Sequence, residues 1–405
     1  TLGYTGEILG PYFLQNFKES IPEGGVKDGG FQVVVGGDAY GSGSSREVAV
    51  VAHQGAGIEL VVARSLQRIF QENMVYSGLP FTTDFGVLRR LQSGEDVDLG
   101  ALARELPPFF RAVAEAGGLM RYGSALLAGE VAPTYATEVE ARPMTCIEKI
   151  CAGKAWTGAD TPAGLAAVAP GDQVLCEAGF RGMHEYTGAM VMSLYRDEWG
   201  DAAVDRPELV AAFEDHFVLL DADTVPSRVK LQRLEPARQL RDEMVEACER
   251  AGIRLHGPDR PLPAGVCHRL VVEQYARPGD VIVLTDSHTP TAGVLNAFAF
   301  GVGSRAMAFA LRTGLARVTV GGSNIGPELL PINVLGLIAT GVGFAYDEAR
   351  VGAEMGPALQ AHLQATPALD RYRSHFRFRP SDEPALQALV AGTQLAQLAV
   401  LPGSS

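Results

Sequence analysis

Residues 37–47 read Gly-Asp-Ala-Tyr-Gly-Ser-Gly-Ser-Ser-Arg-Glu and constrain this chain more than any other stretch. They follow an apolar strand pattern, Phe31-Gln-Val-Val-Val35, and precede a helical run, Val48-Ala-Val-Val-Ala52. A strand, a glycine-rich turn and a helix in that order read as an α/β unit. The turn hands Ser44, Ser45 and Arg46 to the start of the helix. Exposed backbone N–H groups and the positive helix end attract anions there. Arg46 can clamp a carboxylate through two hydrogen bonds. A serine in that field, beside a cation, has a stabilised alkoxide and can act as a base. The plainer alternative is a flexible Gly/Ser loop that ends in an N-cap serine.

The downstream pattern narrows the choice. A strand, Ile58-Glu-Leu-Val-Val-Ala63, leads to Ser65-Leu-Gln-Arg-Ile69 and then to the turn Gly78-Leu-Pro80. A second group of motifs comprises Met144-Thr, Glu148-Lys-Ile150, Pro170-Gly-Asp172, His184-Glu185-Tyr-Thr187, Cys267-His268 and Thr285-Asp-Ser-His-Thr-Pro290. The first group, over roughly residues 5–100, resembles the swivelling domain of the aconitase and isopropylmalate isomerase superfamily. The second, over residues 140–310, resembles the superfamily's first domain. The resemblance implies an α/β chain with an aconitase-like swivelling domain at residues 1–100 and a linker at 101–140. A truncated aconitase-like α/β/α domain, a shortened large-subunit-like part, would fill 141–405. The order is unusual. Single-chain aconitases carry the swivelling domain last, and isopropylmalate isomerases carry it as a separate small subunit.

The same resemblance implies roles. Ser44 matches the base that takes a proton beside a carboxylate, and Ser45 and Arg46 match residues that hold the substrate carboxylate. His268, Asp286 and His288 match active-site residues. His184, Glu185 and Thr187 match a His-Glu-x-Thr stretch, and Ser287 lies within the Asp-Ser-His motif. Asp221 is expected to match the aspartate of an Asp-His pair whose histidine protonates the leaving hydroxyl. Ala222 follows it, so that histidine is expected to be missing. Specificity is expected from loops near Gly6–Phe13 and Asp84–Arg90. Each residue also has a simpler reading: Asp286 as a helix cap, the histidines as hydrogen-bonded structural residues, Glu185 and Glu273 as surface charges or histidine orienters.

The cysteines bear on the cofactor. The five are Cys146, Cys151, Cys176, Cys248 and Cys267, with no C-x-x-C pair and none after Cys267. Relatives usually hold a [4Fe–4S] cluster through three cysteines of a later domain, and no position here matches them. The thiols therefore read as small buried hydrophobes, and no [4Fe–4S] cluster is expected. A mononuclear divalent metal on His184, His268, His288 and an acid such as Asp286 would satisfy ligand chemistry, and a site without metal is the alternative.

Composition excludes more than it identifies. The net charge of −13 disfavours general nucleic-acid binding. The aromatic-basic run Arg371-Tyr-Arg-Ser-His-Phe-Arg-Phe-Arg379 alternates like an edge strand. No apolar run spans a membrane and no signal peptide opens the chain, so the expected location is cytoplasmic. The expected activity is a lyase or isomerase, a hydro-lyase, on a small di- or tricarboxylate or analogue. The expected partner is that small-molecule carboxylate, with a homo-oligomer or a second subunit left open. The competing expectation is a non-catalytic ligand sensor or scaffold.

Overall fold

A computed structural model describes residues 4–15, 21–42, 47–131, 141–158, 164–217 and 227–320, of which 227–233 are described as backbone only. The first parallel sheet has three strands in the order β1 (Val33–Gly36), β2 (Leu60–Ala63) and β3 (Phe81–Thr82). Strand β2 is central and every residue of it is buried, as its unbroken Leu-Val-Val-Ala run suits. Helices Glu47–Gly55 and Arg68–Ser77 pack beside it, and Gly78 closes the second with a left-handed φ of 70°.

The site is set by a five-stranded parallel sheet. Its strands are β5 (Phe180–His184), β6 (Val210–Phe213), β7 (Arg254–His256), β8 (Val281–Leu284) and β9 (Phe298–Gly301). Their order across the sheet is β7-β6-β5-β8-β9. The chain therefore runs outward from β5 through β6 and β7, then restarts beside β5 with β8. The junction of β5 and β8 is the topological switch point, where open α/β sheets bind ligands at the strands' carboxyl ends. A separate antiparallel pair joins β4 (Gln173–Glu177) to β10 (Leu315–Thr319).

Both faces of the large sheet are covered, and the period of two is visible in its strands. Val210, Ala212, Val281 and Val283 pack with Met183, Val191, Met244 and Met307 in one core cluster. Ala211, Phe213, Ile282 and Leu284 face the other way, toward Phe180, Leu270, Val271 and Ala292. Fully burying each large apolar side chain contributes roughly 1.5–3 kcal/mol before entropy is charged against it. One position breaks the pattern. Arg181, fully buried in β5, donates to the carbonyls of Ala310, Asp205 and Arg206, with the Asp205 carboxylate 3.5 Å away. Burial brings its pKa down to about 10, so it stays charged at neutral pH.

Several contacts among the described residues join the sheets. Helices Pro108–Glu115 and Leu119–Leu127 share a core with Val75 and Tyr76 on one side and Leu175, Phe309 and Leu315 on the other. Arg317 of β10 donates to the Tyr76 hydroxyl at 2.8 Å and pairs with Glu72 at 2.9 Å. Arg305 pairs with Glu47 at 2.9 Å.

The apolar run Phe217-Val-Leu-Leu-Asp221 reads as a strand in sequence, and 218–221 of it lie outside the described residues, while Val210–Phe213 forms strand β6. A charged helix spans Ser227–Arg250. Residues 321–405, including the loop at Gly321–Pro327 and the run at Arg371–Arg379, lie outside the described residues.

Candidate active site

Three strand ends of the large sheet bring titratable side chains together. His184 is the last residue of β5, Asp215 and His216 follow β6, and Thr285–His288 follow β8. The His184 and His216 rings stack at 3.7 Å between centroids. His184 Nε2 lies 3.1 Å from the Thr285 carbonyl, and the hydroxyls of Thr187 and Thr285 are 2.6 Å apart, so β5 and β8 are laced at the switch point. His216 Nδ1 sits 2.6 Å from an Asp215 oxygen. The other Asp215 oxygen accepts the Cys267 amide at 2.7 Å.

Asp286 is the hub. Its Oδ2 accepts the His288 amide at 2.7 Å and lies 3.2 Å from His268 Nδ1 and 3.9 Å from His288 Nδ1. Its Oδ1 lies 4.0 Å from His216 Nε2. The His268 and His288 rings stack at 5.0 Å, and Ser287 Oγ is 3.2 Å from His288 Nδ1. His268 and Asp286 are buried, while the His288 side chain is 56 % exposed, so the cluster opens to solvent on the His288 side.

The charges sort themselves by environment. Burial, reinforced by His216, pushes the His184 pKa down to about 4, so that imidazole is neutral. Burial also works against a charged His216, but the Asp215 carboxylate outweighs it and raises the pKa. Asp215 and Asp286 are both held below the usual carboxylate range. Burial opposes this, and it is outweighed by His216 and the Cys267 amide for Asp215, and by His268 and the His288 amide for Asp286. Asp215 thus favours the protonated form of His216, beside a neutral His184, and a histidine backed in this way can act as a proton donor.

Several expected residues take different places. Glu185 spends its carboxylate on the loop after β6, accepting the amides of Asp215, His216 and Phe217 at 3.0, 2.6 and 2.6 Å. It shapes the loop that carries His216 rather than reaching outward. Thr187 is engaged with Thr285, and Glu273 pairs with Arg269 at the surface. Ser44, Ser45, Arg46 and Asp221 lie outside the described residues. Sequence reasoning missed Asp215–His216, an adjacent acid and histidine one residue after four apolar residues. That signal was present at Val210-Ala-Ala-Phe-Glu-Asp-His216.

The metal and cluster expectations meet the same geometry. His184, His268 and His288 do not bring one ligand atom each within 4.8 Å of one another. The described triplets that do so are His184–Glu185–His216 and Cys267–His268–Asp286. For a [4Fe–4S] cluster held by three thiolates, the chain's cysteines do not fit this edge. Only Cys267 borders it. Cys176 precedes the start of β5 and adjoins Cys151, with its thiol 3.7 Å from the Cys151 carbonyl, and Cys248 precedes the start of β7. All three therefore flank the opposite edge of the sheet. Cys146 is exposed, in contrast to the buried role expected of all five.

Acids and histidines thus gather at the carboxyl ends of the strands, at the switch point of the sheet, and comparison with known proteins gives the chain a lineage. The model of the aconitase family (aconitate hydratase) matches residues 166–322, and that of the aconitase C-terminal domain matches residues 26–83. A 3-isopropylmalate dehydratase large subunit from Methanopyrus kandleri is 37 % identical over 148 residues, which are 36 % of this chain and 33 % of that protein. An isopropylmalate/citramalate isomerase small subunit from Methanocaldococcus jannaschii is 36 % identical over 111 residues, 24 % of this chain and 65 % of that protein. The chain thus spans about a third of the large-subunit relative and just under two thirds of the small-subunit one. It belongs to the aconitase and isopropylmalate isomerase superfamily. Among the described residues no helix is long and apolar enough to cross a membrane.

Proposed function

We propose that this chain is an aconitase-like hydro-lyase or isomerase acting on a small di- or tricarboxylate at the carboxyl edge of β5, β6 and β8. The observation that carries the reading is the Asp215–His216 pair, 2.6 Å apart and facing Asp286 across 4.0 Å. It supplies the acid that the sequence, read at Asp221, seemed to lack. In this reading Ser44 removes the proton on the carbon next to a carboxylate, and Arg46 clamps that carboxylate. His216 protonates the departing hydroxyl. The C–H and C–O bonds break, a C=C bond forms and water leaves. Adding water back with the opposite orientation gives the isomer. No step is routed through a cluster.

The swivelling unit, residues 1–100, and the large-subunit-like part, from 141, then share the substrate. Support comes from Glu47, the residue after Arg46, which Arg305 holds at 2.9 Å. Arg305 follows β9, whose last residue, Gly301, is so close to Asp286 that an added methyl would come within 2.7 Å of its carbonyl oxygen. Glu47, at the start of its helix, is thereby tied to the helix that follows β9. The small-molecule carboxylate is the partner, and a homo-oligomer or a second subunit supplying further domains is compatible with the reading.

The test is alkene formation from 3-isopropylmalate and citramalate by the full chain, read by ultraviolet absorbance, with carboxylate binding measured in parallel. Turnover that Ser44→Ala abolishes while binding persists, and whose KM rises strongly in Arg46→Lys, is the expected outcome. Full activity in Ser44→Ala removes that base from the mechanism. Binding by the unaltered chain without turnover favours the ligand-sensor reading.

A further inference from the structure

The thiol of Cys267 has no part in the chemistry above, yet it sits at the centre of the site. It opens the helix Cys267–Gln274 and is buried, and its amide is already fixed on Asp215. Its Sγ, one imidazole nitrogen of His268 and one carboxylate oxygen of Asp286 all lie within 4.8 Å of one another, and all three residues are buried. We propose that Cys267, His268 and Asp286 hold one divalent cation of the zinc type, with its fourth position open toward His288.

The ligand chemistry selects the ion. A thiolate, an imidazole and a carboxylate suit zinc, cobalt(II) or iron(II), whereas magnesium and calcium take oxygen sets. His268 Nδ1 lies 3.2 Å from Asp286 Oδ2, so the ring and the carboxylate already face each other. Three protein ligands and one open side are the pattern of a reactive rather than a purely structural site. The open side is defined by His288, whose ring stacks 5.0 Å from that of His268 and reaches solvent.

The competing triplet is less suited. In His184–Glu185–His216, the Glu185 oxygens are already taken by three backbone amides and His184 Nε2 faces the Thr285 carbonyl. In the Cys267 triplet, Asp286 Oδ1 has His216 Nε2 only at 4.0 Å, beyond hydrogen-bonding range.

Charge favours occupancy. The side chains of Asp215 and Asp286 are 4 % and 5 % exposed and both border the site. The Cys267 thiol must give up its proton to bind a cation. Binding then exchanges that proton for the metal: the S–H bond breaks, a sulfur–metal bond forms, and one proton leaves to solvent per ion bound. An ion there would polarise a substrate oxygen presented from the His288 side. This last role rests on the hydro-lyase reading, whereas the site itself does not.

The experiment is a cobalt(II) titration of the chelator-stripped full chain, followed by absorbance and proton release. One equivalent should bind, with a thiolate-to-cobalt charge-transfer band and one proton released. Cys267→Ser should lose the band, and Cys248→Ser should keep it. A wild-type complex without the band, or a band that survives Cys267→Ser, overturns the site. Should Cys267→Ser not fold, Asp286→Asn must weaken cobalt binding by about tenfold or more, and unchanged affinity overturns the proposal. Binding and turnover of 3-isopropylmalate by the same samples separate the two ideas. Cobalt uptake without carboxylate binding upholds the ion site against the enzyme reading. Turnover by protein that takes no cobalt does the reverse.

Discussion

The two parallel sheets of this chain use their carboxyl ends in different ways. The three-stranded sheet ends β1 in Gly36 and Gly37 and passes into a loop of glycine and serine. The five-stranded sheet ends β5, β6 and β8 in His184, Asp215–His216 and Asp286–His288. The first edge is followed in sequence by glycines, serines and an arginine, and the second carries groups that titrate. Burial differs in the same sense. Val35 of β1 is exposed, whereas β6 and β8 are buried throughout, and only a well-covered sheet can shift the pKa of the groups at its rim. Side chains also join the two sheets, and those contacts are as informative as the edges themselves.

The strongest of those contacts is Arg317, which pairs with Glu72, donates to Tyr76 and lies 4.6 Å over the Phe110 ring. Arg317→Met should destabilise the chain by about 4 kcal/mol in denaturant unfolding, since Glu72 and Tyr76 lose a buried partner. A change below about 1 kcal/mol would mean that the two sheets are not coupled there. Arg305→Met comes next. Glu47 is 3 % exposed, its Oε1 accepts from Arg305 and Ser77, and its Oε2 is buried without a partner among the described residues. Losing Arg305 should cost about 3 kcal/mol and should also raise KM, because Glu47 adjoins Arg46. Adding Glu47→Gln should recover part of the stability, and a double variant no better than the single one would break the pairing.

The smallest expected effect sharpens the electrostatic half of the comparison. His184 has a folded pKa near 4, below its ordinary value of 6.5, so the folded state binds its proton more weakly than the unfolded chain does. Stability should therefore fall as pH drops from 6.5 toward 4. His216 has a raised folded pKa, so its contribution is complete below 6.5 and is lost as pH rises through the folded value. The cost of His184→Gln, measured by denaturant at pH 7 and pH 4.5, should shrink by roughly 2 kcal/mol at the lower pH. A cost independent of pH would mean that His184 is not a neutral buried imidazole.

Both sheets were legible in the sequence, but unevenly. Strands β1, β2 and β8 are β-branched runs bounded by glycine or polar turns, and they stand within a residue or two of where the pattern put them. Strand β5, Phe-Arg-Gly-Met-His, was hidden because its buried arginine is satisfied by carbonyls from residues 205, 206 and 310, which no local pattern reveals. The short run Val210-Ala-Ala-Phe213 is less apolar than the neighbouring Phe217-Val-Leu-Leu220, and with the shorter strand unread the Asp-His pair after it was missed. The Asp286-Ser-His288 motif was readable because its residues are contiguous. The duty of Glu185, three amide contacts some thirty residues away, was not.

The central claim is that His216, whose pKa Asp215 raises, is the acid of this site. The most direct test is the pH dependence of 3-isopropylmalate dehydration by the full chain, beside its His216→Gln and Asp215→Asn variants. The account predicts a kcat lower by ~100- to 10,000-fold in His216→Gln, with the alkaline limb moved to lower pH in Asp215→Asn. A His216→Gln enzyme that keeps its kcat and its pH profile would contradict it.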